Sequence, residues 1–324
     1  MHRGSVVGPP LERVAETKLA ALLGRRPGAR LEASGVLARD GRWIVVLDNT
    51  HDVAVIDPPA GAQDAAPGTV DLEGAVALAR MLPRPVGLGT GYEDLARDPV
   101  SGRVFLLVES LPQKRGGRMA WVEECDADLR PLGGAWLDFP IASANKGMEG
   151  LTAVHRGGRL HLLGLCEGNR CRGGAEGRRP GGGRIQVFTR DPHHETGSGH
   201  ETGSGHGTDP WLRVDTIELP QWLPFIDYAG LSTDGDRLAV VSQESSMLWV
   251  GRLRPDAWQV DGPGSVHPLP RDDAGGIVYC TVEGVSWVGA DRLVMVSDRA
   301  KPGRHEARCR AEEQSVHLFE IPRI

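Results

Sequence analysis

The sequence predicts an all-β fold of the β-propeller type, with five blades preferred and six as the alternative. A plan of two short apolar runs joined by a tight turn occurs five times, at intervals of 59, 56, 80 and 54 residues. Repeats of about 50 residues with three or four short strands are typical of propeller blades, which bury their faces only against neighbouring blades. The 44 Gly and 23 Pro also favour many tight turns and few long helices.

The bulk composition is that of a globular protein and argues against two classes of partner. Hydrophobic residues make up 40% of the chain and charged residues 25%. The net charge of −6 argues against nucleic acid, because proteins that bind it carry a basic excess. No apolar run reaches the ~18 residues of a membrane span, so no membrane partner is expected.

Residues 1–30 are predicted to form an N-terminal segment that closes the ring or packs on it. Leu11–Leu23 has the pattern of an outer strand or a loose helix. The same segment lacks a continuous apolar core and a small-residue cleavage site, which predicts a cytoplasmic protein without a signal peptide. A secreted chain whose signal had been removed would look the same and is the alternative.

Residues 31–324 are predicted to form the propeller domain. The first four repeats turn at dipeptides that favour hairpins, namely Asp40-Gly41, Ser101-Gly102, Gly157-Gly158 and Asp234-Gly235. The fifth repeat lacks a fourth strand, which an N-terminal strand would supply. A tandem low-complexity segment near residues 192–209, HHETGSGHETGSGHG, is predicted to be a disordered insertion.

The five cysteines do not form a recognisable framework of disulfides, because their number is odd and their spacing scattered. Cys166 and Cys171 are close enough to form a loop disulfide or to hold half of a metal site. The interpretation that we favour is two reduced cysteines.

The first corner of each repeat, where the innermost strand begins, carries mostly acidic residues. The five residues in register there are Ser34, Glu93, Glu149, Ala229 and Glu283. Innermost strands line the central channel, so these side chains are expected to converge, and three facing carboxylates repel one another unless they are hydrated, protonated or bound to a cation. Ca²⁺ fits such a ring best, with Mg²⁺ or Mn²⁺ as other candidates. The alternative is a hydrated structural ring.

The second corner, at the end of the next strand, is also rich in Asp, Glu and Asn. Its residue pairs are Asp48-Asn49, Glu109-Ser110, Cys166-Glu167, Gln243-Glu244 and Ser297-Asp298. In a hairpin the start of one strand lies beside the end of the next, so both corners open at the same mouth. Further candidates for that mouth are His51, Lys146, Asn169, Asp227, Tyr228 and Lys301. Asp and Asn after a strand also cap turns, which explains part of this pattern.

The stretches KGMEGLTAVHRGGRLHLLGLCEGN and TVEGVSWVGADRLVMVSDR carry a resemblance to known proteins. They resemble the repeat of the phytase-like (esterase-like) and SdiA-regulated propeller proteins. The arrangement is also similar to that of the calcium-activated nucleotidases. The resemblance implies a Ca²⁺ site at Glu93, Glu149 and Glu283, with Ser34 as a neutral member, whereas Ala229 departs from the acidic pattern.

The leading functional hypothesis is a metal-dependent hydrolase of a small anionic ester, in the first place a phosphate. The cation would polarise the ester and lower the pKa of a bound water. Glu109 or Glu167 would act as general base, and Lys146 or Arg170 would neutralise the leaving group. His51 is a further catalytic candidate. Substrate contacts are expected from Asn49, Asn169, Arg170, Asp227, Tyr228, Gln243, Asp298 and Lys301.

Two other hypotheses remain open. The mouth of a non-catalytic propeller would bind a ligand or a protein, with a structural cation or a hydrated channel behind it. An isomerase or lyase without metal would use a buried Glu paired with His51 or Tyr228.

Overall fold

The computed structural model of the chain describes residues 6–26, 28–62, 64, 66, 70–82, 91–113, 116–142, 146–190, 209–301 and 303–322. The predicted low-complexity insertion lies outside the described residues, except for Asp209. The described part is almost entirely strand and turn, as the sequence predicts.

The strands are β1 Val6–Val7, β2 Glu12–Lys18, β3 Ala33–Arg39, β4 Arg42–Leu47, β5 Asp52–Asp57, β6 Val76–Met81, β7 Asp94–Arg97, β8 Val104–Pro112, β9 Arg118–Cys125, β10 Pro131–Asp138, β11 Met148–Arg156, β12 Arg159–Cys166, β13 Arg184–Thr189, β14 Trp211–Glu218, β15 Gly230–Asp234, β16 Arg237–Ser242, β17 Met247–Arg252, β18 Ser265–Pro268, β19 Val282–Trp287, β20 Arg292–Ser297 and β21 Ser315–Glu320. The helices are single turns: α1 Leu19–Leu22, α2 Gly174–Gly177, and 3-10 turns at Leu72–Gly74, Asn169–Cys171 and Ala307–Arg310.

The described strands form four sheets, and the eight-stranded one consists of two four-stranded halves joined by a short parallel pairing of β10 with β14. This gives five groups of strands around a channel. These are β3–β6, β7–β10, β11–β14, β15–β18 with β1 added at its edge, and β19–β21 with β2. The innermost strands β3, β7, β11, β15 and β19 contact one another in a closed series, since β19 also contacts β3. This is the arrangement of a β-propeller, whose apolar clusters lie between neighbouring groups. One cluster joins Val45 of the first group to Val294 and Val316 of the last.

The two ends of the chain meet in the last group. β2 pairs with β21 in antiparallel register, from Glu12 opposite Glu320 to Lys18 opposite Ser315. Three strands of this group are also joined by side chains. The buried ring of His317 lies between Ser297 Oγ, 2.5 Å from Nε2, and Glu16 Oε2, 2.6 Å from Nδ1.

The Glu-Gly pairs of the sequence have a structural cause. The register of the innermost strand shifts at Ser34, Glu149 and Glu283, so these three first-corner residues lie at β-bulges. The residue that follows comes very close to the neighbouring innermost strand. A Cβ on Gly230 would lie 2.2 Å from the carbonyl oxygen of Glu283, for example. Only glycine allows this approach.

The second group has a different residue at the same close approach. Asp94 stands there in place of the glycine of the other groups, and it was not predicted as a site residue. Its carboxylate accepts backbone N–H groups from Leu95 at 2.8 Å and from Leu151 at 2.7 Å. Asp94 therefore links β7 to β11, and burial raises the pKa of its carboxyl well above the usual value.

Two disulfides are present, Cys166–Cys171 and Cys280–Cys309, while Cys125 is a buried free thiol. The favoured interpretation of Cys166 and Cys171 as reduced cysteines is therefore wrong. Disulfides are typical of oxidising compartments, which speaks against the predicted cytoplasmic location. No helix in the described ranges has the length and apolar character needed to cross a membrane.

Candidate functional site

One end of the channel opens into a cavity of about 510 Å³ that we call the acidic mouth. Nine of the residues that line it are acids, and four are Lys or Arg. The lining residues are Asp48, Glu93, Glu109, Lys146, Glu149, Glu167, Arg178, Asp227, Ala229, Gln243, Glu244, Glu283, Asp298, Lys301, Arg304 and His305. Both predicted corners therefore meet at this mouth, because hairpin pairing places the start of one strand beside the end of the next.

Glu93, Glu149 and Glu283 lie at the base of the acidic mouth, at the starts of three innermost strands. Burial raises the pKa of each carboxyl well above its usual value, and neighbouring acids raise it further. Gln243 Nε2 donates to Glu283, while Glu149 faces both Glu109 and Glu167. In the absence of a cation, such a group is stable only with some of its carboxyls protonated.

The closest cluster in the mouth is formed by Glu109, Glu149 and Glu167. Each offers a carboxylate oxygen, and these three oxygens all lie within 4.8 Å of one another. Gly147 N–H donates to Glu109 Oε1 at 2.7 Å, and Lys146 forms an ion pair with Glu167. Two ligands of one Ca²⁺ are at most about 5 Å apart, because each Ca–O distance is about 2.4 Å. The three residues therefore fit a single divalent cation.

A second group of acids lies on the side of the mouth formed by the first and last strand groups. Burial raises the pKa of Asp48 to about 8, and the charges of Asp298 and Glu32 contribute. Burial also raises the pKa of Asp298 to about 6, against the effect of Lys301, whose Nζ lies 3.6 Å from Asp298 Oδ2. Lys301 is thus the cation that partly balances this group.

Glu244 holds two arginines at the rim of the mouth. Arg178 forms a two-pronged ion pair with it, and Arg304 Nη2 lies 3.1 Å from Glu244 Oε1. Burial would raise the pKa of Glu244, but the bonds from Arg178 outweigh it and hold the pKa below its usual value. Asp227 lies behind, where it accepts the Ser242 hydroxyl at 2.5 Å, and burial raises its pKa to about 6.

Six predicted site residues do not line the acidic mouth, and three of these are buried. Ser34 is buried and donates its hydroxyl to the carbonyl of Tyr92, which removes it from the predicted metal set. Asn169 is fully buried, where it bonds Gly177 O, Phe225 O, Gly182 N and the hydroxyl of Tyr228. Asn169 and Tyr228 therefore shape the loop after β12 and are not available to a substrate.

The other three are turned away from the mouth. The exposed Asn49 contacts the backbone at Arg30 and Glu32, which is the turn-capping role left open for such residues. His51 packs edge-on against Tyr92, with ring centroids 5.8 Å apart. Arg170 lines a separate surface cavity, so it is not placed to neutralise a leaving group at the mouth.

Arg304, His305 and Arg178 line the mouth but were not predicted as site residues. The first two lie in the loop after the last second corner, within the run SDRAKPGRHE. That run was itself a signal, because a basic loop follows an acidic corner directly. The Cys280–Cys309 disulfide lies beside this loop, since both of its cysteines line a cavity together with Arg304 and His305.

No protein-family model matches the chain, and no curated protein matches it. Solved structures match over most of its length. Glutaminyl cyclase from Myxococcus xanthus aligns with 98% of this chain and 100% of its own, with TM-score 0.52 and 12% identity. A GH43_1 enzyme from Xanthomonas citri covers 94% and 89%, with TM-score 0.48 and 12% identity. A PQQ-bound aldose sugar dehydrogenase from Streptomyces coelicolor covers 97% and 99%, with TM-score 0.46 and 12% identity.

The similarity to glutaminyl cyclase supports the fold alone, since the identity is only 12%, and the other two similarities, with TM-scores below 0.5, add nothing to it. The chain is an all-β propeller protein, and the activities of the three proteins do not transfer to it. None of the three bears on the phytase-like type or on the number of blades.

Proposed function

We propose that the acidic mouth binds a divalent cation, Ca²⁺ as first choice and Mg²⁺ or Mn²⁺ otherwise, and that the protein hydrolyses a small phosphate ester there. One observation carries this proposal. The oxygens of Glu109, Glu149 and Glu167 lie within 4.8 Å of one another, in the same cavity as Arg178 and Arg304. Acids that would hold a cation and side chains that would bind an anion therefore share one site.

The cation would be held by Glu109, Glu149 and Glu167, with Glu93 as a further acid in the same group. When bound, it would supply the Lewis acidity that polarises a phosphate oxygen and acidifies water. The sequence favoured Glu93, Glu149 and Glu283 instead. The cluster proposed now keeps Glu149 and replaces the other two by second-corner acids, because those are nearest to it.

The remaining side chains of the mouth would act on the ester itself. Arg178 and Arg304 present guanidinium groups, which bind phosphate oxygens in a bidentate manner. Lys146 lies against Glu167 and would neutralise charge on the leaving group. Glu109 would also be the general base, through the carboxylate oxygen that does not hold the cation.

The test compares the wild type with Glu149→Gln in calcium titration and in hydrolysis of p-nitrophenyl phosphate. We expect the wild type to bind Ca²⁺ and the variant to lose at least about tenfold in affinity, or ~1.4 kcal/mol, together with its activity. Glu218→Gln is the matched control, because Glu218 is exposed on β14 and pairs with Arg184 away from the mouth. A wild type that binds no divalent cation would refute the proposal.

A non-catalytic binding propeller is the second candidate, and one observation favours it. Each Lys and Arg of the mouth already pairs with a carboxylate, namely Lys146 with Glu167, Lys301 with Asp298, and both arginines with Glu244. A ligand or protein would then bind over a structural cation or a hydrated channel. Tight Ca²⁺ binding without hydrolysis of any phosphate ester would select this candidate.

A further inference from the structure

The far end of the channel also opens into a cavity, of about 700 Å³, which we call the opposite mouth. It is lined by the second halves of the innermost strands and the turns that follow, at residues 36–41, 95–97, 99, 151–155, 231–235 and 285–289. None of these residues lines the acidic mouth, so the two cavities have separate walls.

Two arginines of the opposite mouth share one carboxylate. Arg39 Nε lies 3.0 Å from Asp40 Oδ2, and Arg97 Nη2 lies 3.8 Å from the same oxygen. Asp40 is largely exposed, whereas the side chain of Arg39 is only 17% exposed. One solvent-exposed carboxylate therefore faces two guanidinium groups, and Arg39 Nη1 and Arg97 Nε are buried without a hydrogen-bond partner among the described residues.

His155 extends the same part of the wall onto the next strand. Its Nε2 lies 2.6 Å from Asp98 Oδ1, and Asp98 is further held by Ser101 Oγ and by Val100 N–H at 2.9 Å. Burial opposes ionisation of Asp98, but these hydrogen bonds outweigh it and hold its pKa below the usual value. The imidazole of His155 is thus held in place by an ionised carboxylate.

The rest of the wall of the opposite mouth is mainly apolar. The fourth and fifth groups contribute Leu231, Val285, Trp287 and Val288 together with hydroxyl groups, and Asp234 is neutralised by Arg237 outside the cavity. The hydroxyls of Ser232 and Ser286 are engaged with backbone N–H groups of the neighbouring strand. The basic side chains therefore lie on one side of the cavity, and the other side is mainly apolar.

We propose that the opposite mouth is a second ligand site, which takes a small organic anion with a carboxylate or phosphate group on an apolar body. The anionic group would lie against Arg39, Arg97 and His155, and the apolar body against Leu231, Trp287 and Val288. Guanidinium groups bind both kinds of oxyanion, and an apolar wall with a few fixed polar groups is typical of small-molecule sites. This site does not depend on the cation or the chemistry proposed for the acidic mouth.

The experiment measures binding of benzoate, phenyl phosphate and the neutral benzyl alcohol by calorimetry. It uses the Glu149→Gln protein with chelator, so that the acidic mouth contributes neither a cation nor hydrolysis. We expect one or both anions to bind with a dissociation constant of about 1 mM or tighter and benzyl alcohol not to bind. Benzoate alone would indicate carboxylate ligands, and phenyl phosphate alone would indicate phosphate esters.

The variants Arg97→Gln and Arg39→Gln should each weaken anion binding at least about tenfold, while remaining folded by circular dichroism. Arg42→Gln is the matched control, because Arg42 is exposed on β4 and pairs with Asp57 outside the cavity. Absence of binding by both anions would overturn the proposal. Binding that survives both substitutions would overturn it as well, since the anion would then lie elsewhere.

Discussion

The two mouths are built by the same five innermost strands, yet their charged side chains are arranged in opposite ways. At the opposite mouth every neighbouring pair of innermost strands is joined by a complementary contact of a side chain. These contacts are Asp40–Arg97, Asp98–His155, Thr152–Thr233, Ser232 with Trp287 N–H, and Ser286 with Ala38 N–H. At the acidic mouth like charges face one another instead, and burial raises their pKa values.

The two ends therefore differ in what the fold requires of them. Complementary contacts show that the ring can be joined without repulsion between its strands. The facing carboxylates of the acidic mouth cost free energy and are not required by the fold, which favours a binding role for them. Both disulfides also lie at this end: Cys166 precedes Glu167, and Cys280–Cys309 holds the loop of Arg304.

The largest effect is expected from breaking the Cys280–Cys309 disulfide by a double change to serine. Its sequence separation of 29 residues corresponds to about 3–4 kcal/mol in the chain-entropy model. We expect the melting temperature to fall by roughly 5 °C and calcium affinity at the acidic mouth to fall with it. Anion binding at the opposite mouth should change less.

The matched control for that variant is the double serine change at Cys166 and Cys171. Their separation of 5 residues predicts a smaller loss, about 2 kcal/mol. Equal losses from the two variants, or a larger loss at the opposite mouth, would contradict this account of the disulfides.

A smaller effect is expected from Asp48→Asn in the chelated protein. The folded pKa of Asp48 is about 8, above the ~3.9 of an unfolded Asp, so the folded state binds the extra proton between these values. The free energy of unfolding therefore falls as pH rises from about 4 to 8. The variant removes this loss and should melt at least about 3 °C higher than the wild type at pH 8.

At pH 4 the two proteins should melt at similar temperatures, because Asp48 is then protonated in the folded state. Thermal melts between pH 4 and pH 8 measure the difference in melting temperature between variant and wild type. Asp57→Asn is the control, since Asp57 is exposed and pairs with Arg42. If the free energy of unfolding of the wild type rises with pH over this range, the carboxylates of the acidic mouth do not destabilise the folded state by repulsion.

The smallest effect is expected at the opposite mouth from Thr152→Val. The hydroxyls of Thr152 and Thr233 lie 2.6 Å apart and join β11 to β15. Losing one such hydrogen bond should lower the free energy of unfolding by about 1 kcal/mol and leave calcium affinity unchanged. Denaturant unfolding of Thr152→Val, Thr233→Val and the double variant measures the coupling free energy between the two hydroxyls. A coupling of zero would show that this contact does not join the strands.

The sequence predicted the propeller and the meeting of the two corners because both follow from local pattern. Hairpin pairing fixes which residues lie beside each other, so the mouth could be assembled without coordinates. Asp94 was missed because the run YEDL replaces the Gly of the other repeats by an acid, and pattern alone does not show that it bonds backbone N–H groups of β11. Asn169 and Tyr228 were misplaced because their polar groups bond each other inside a loop.

The repeat, the close approach at Glu-Gly and the acidic character of one mouth follow from the sequence alone, because periodicity and residue type set these properties. Which acids form a cluster depends on the tertiary structure. Glu149 lies nearest to Glu109 and Glu167 rather than to Glu283, because bulges and loops set the direction of each side chain. The tertiary structure also places basic loops over the acids, since a disulfide and ion pairs between residues far apart in the chain hold them there.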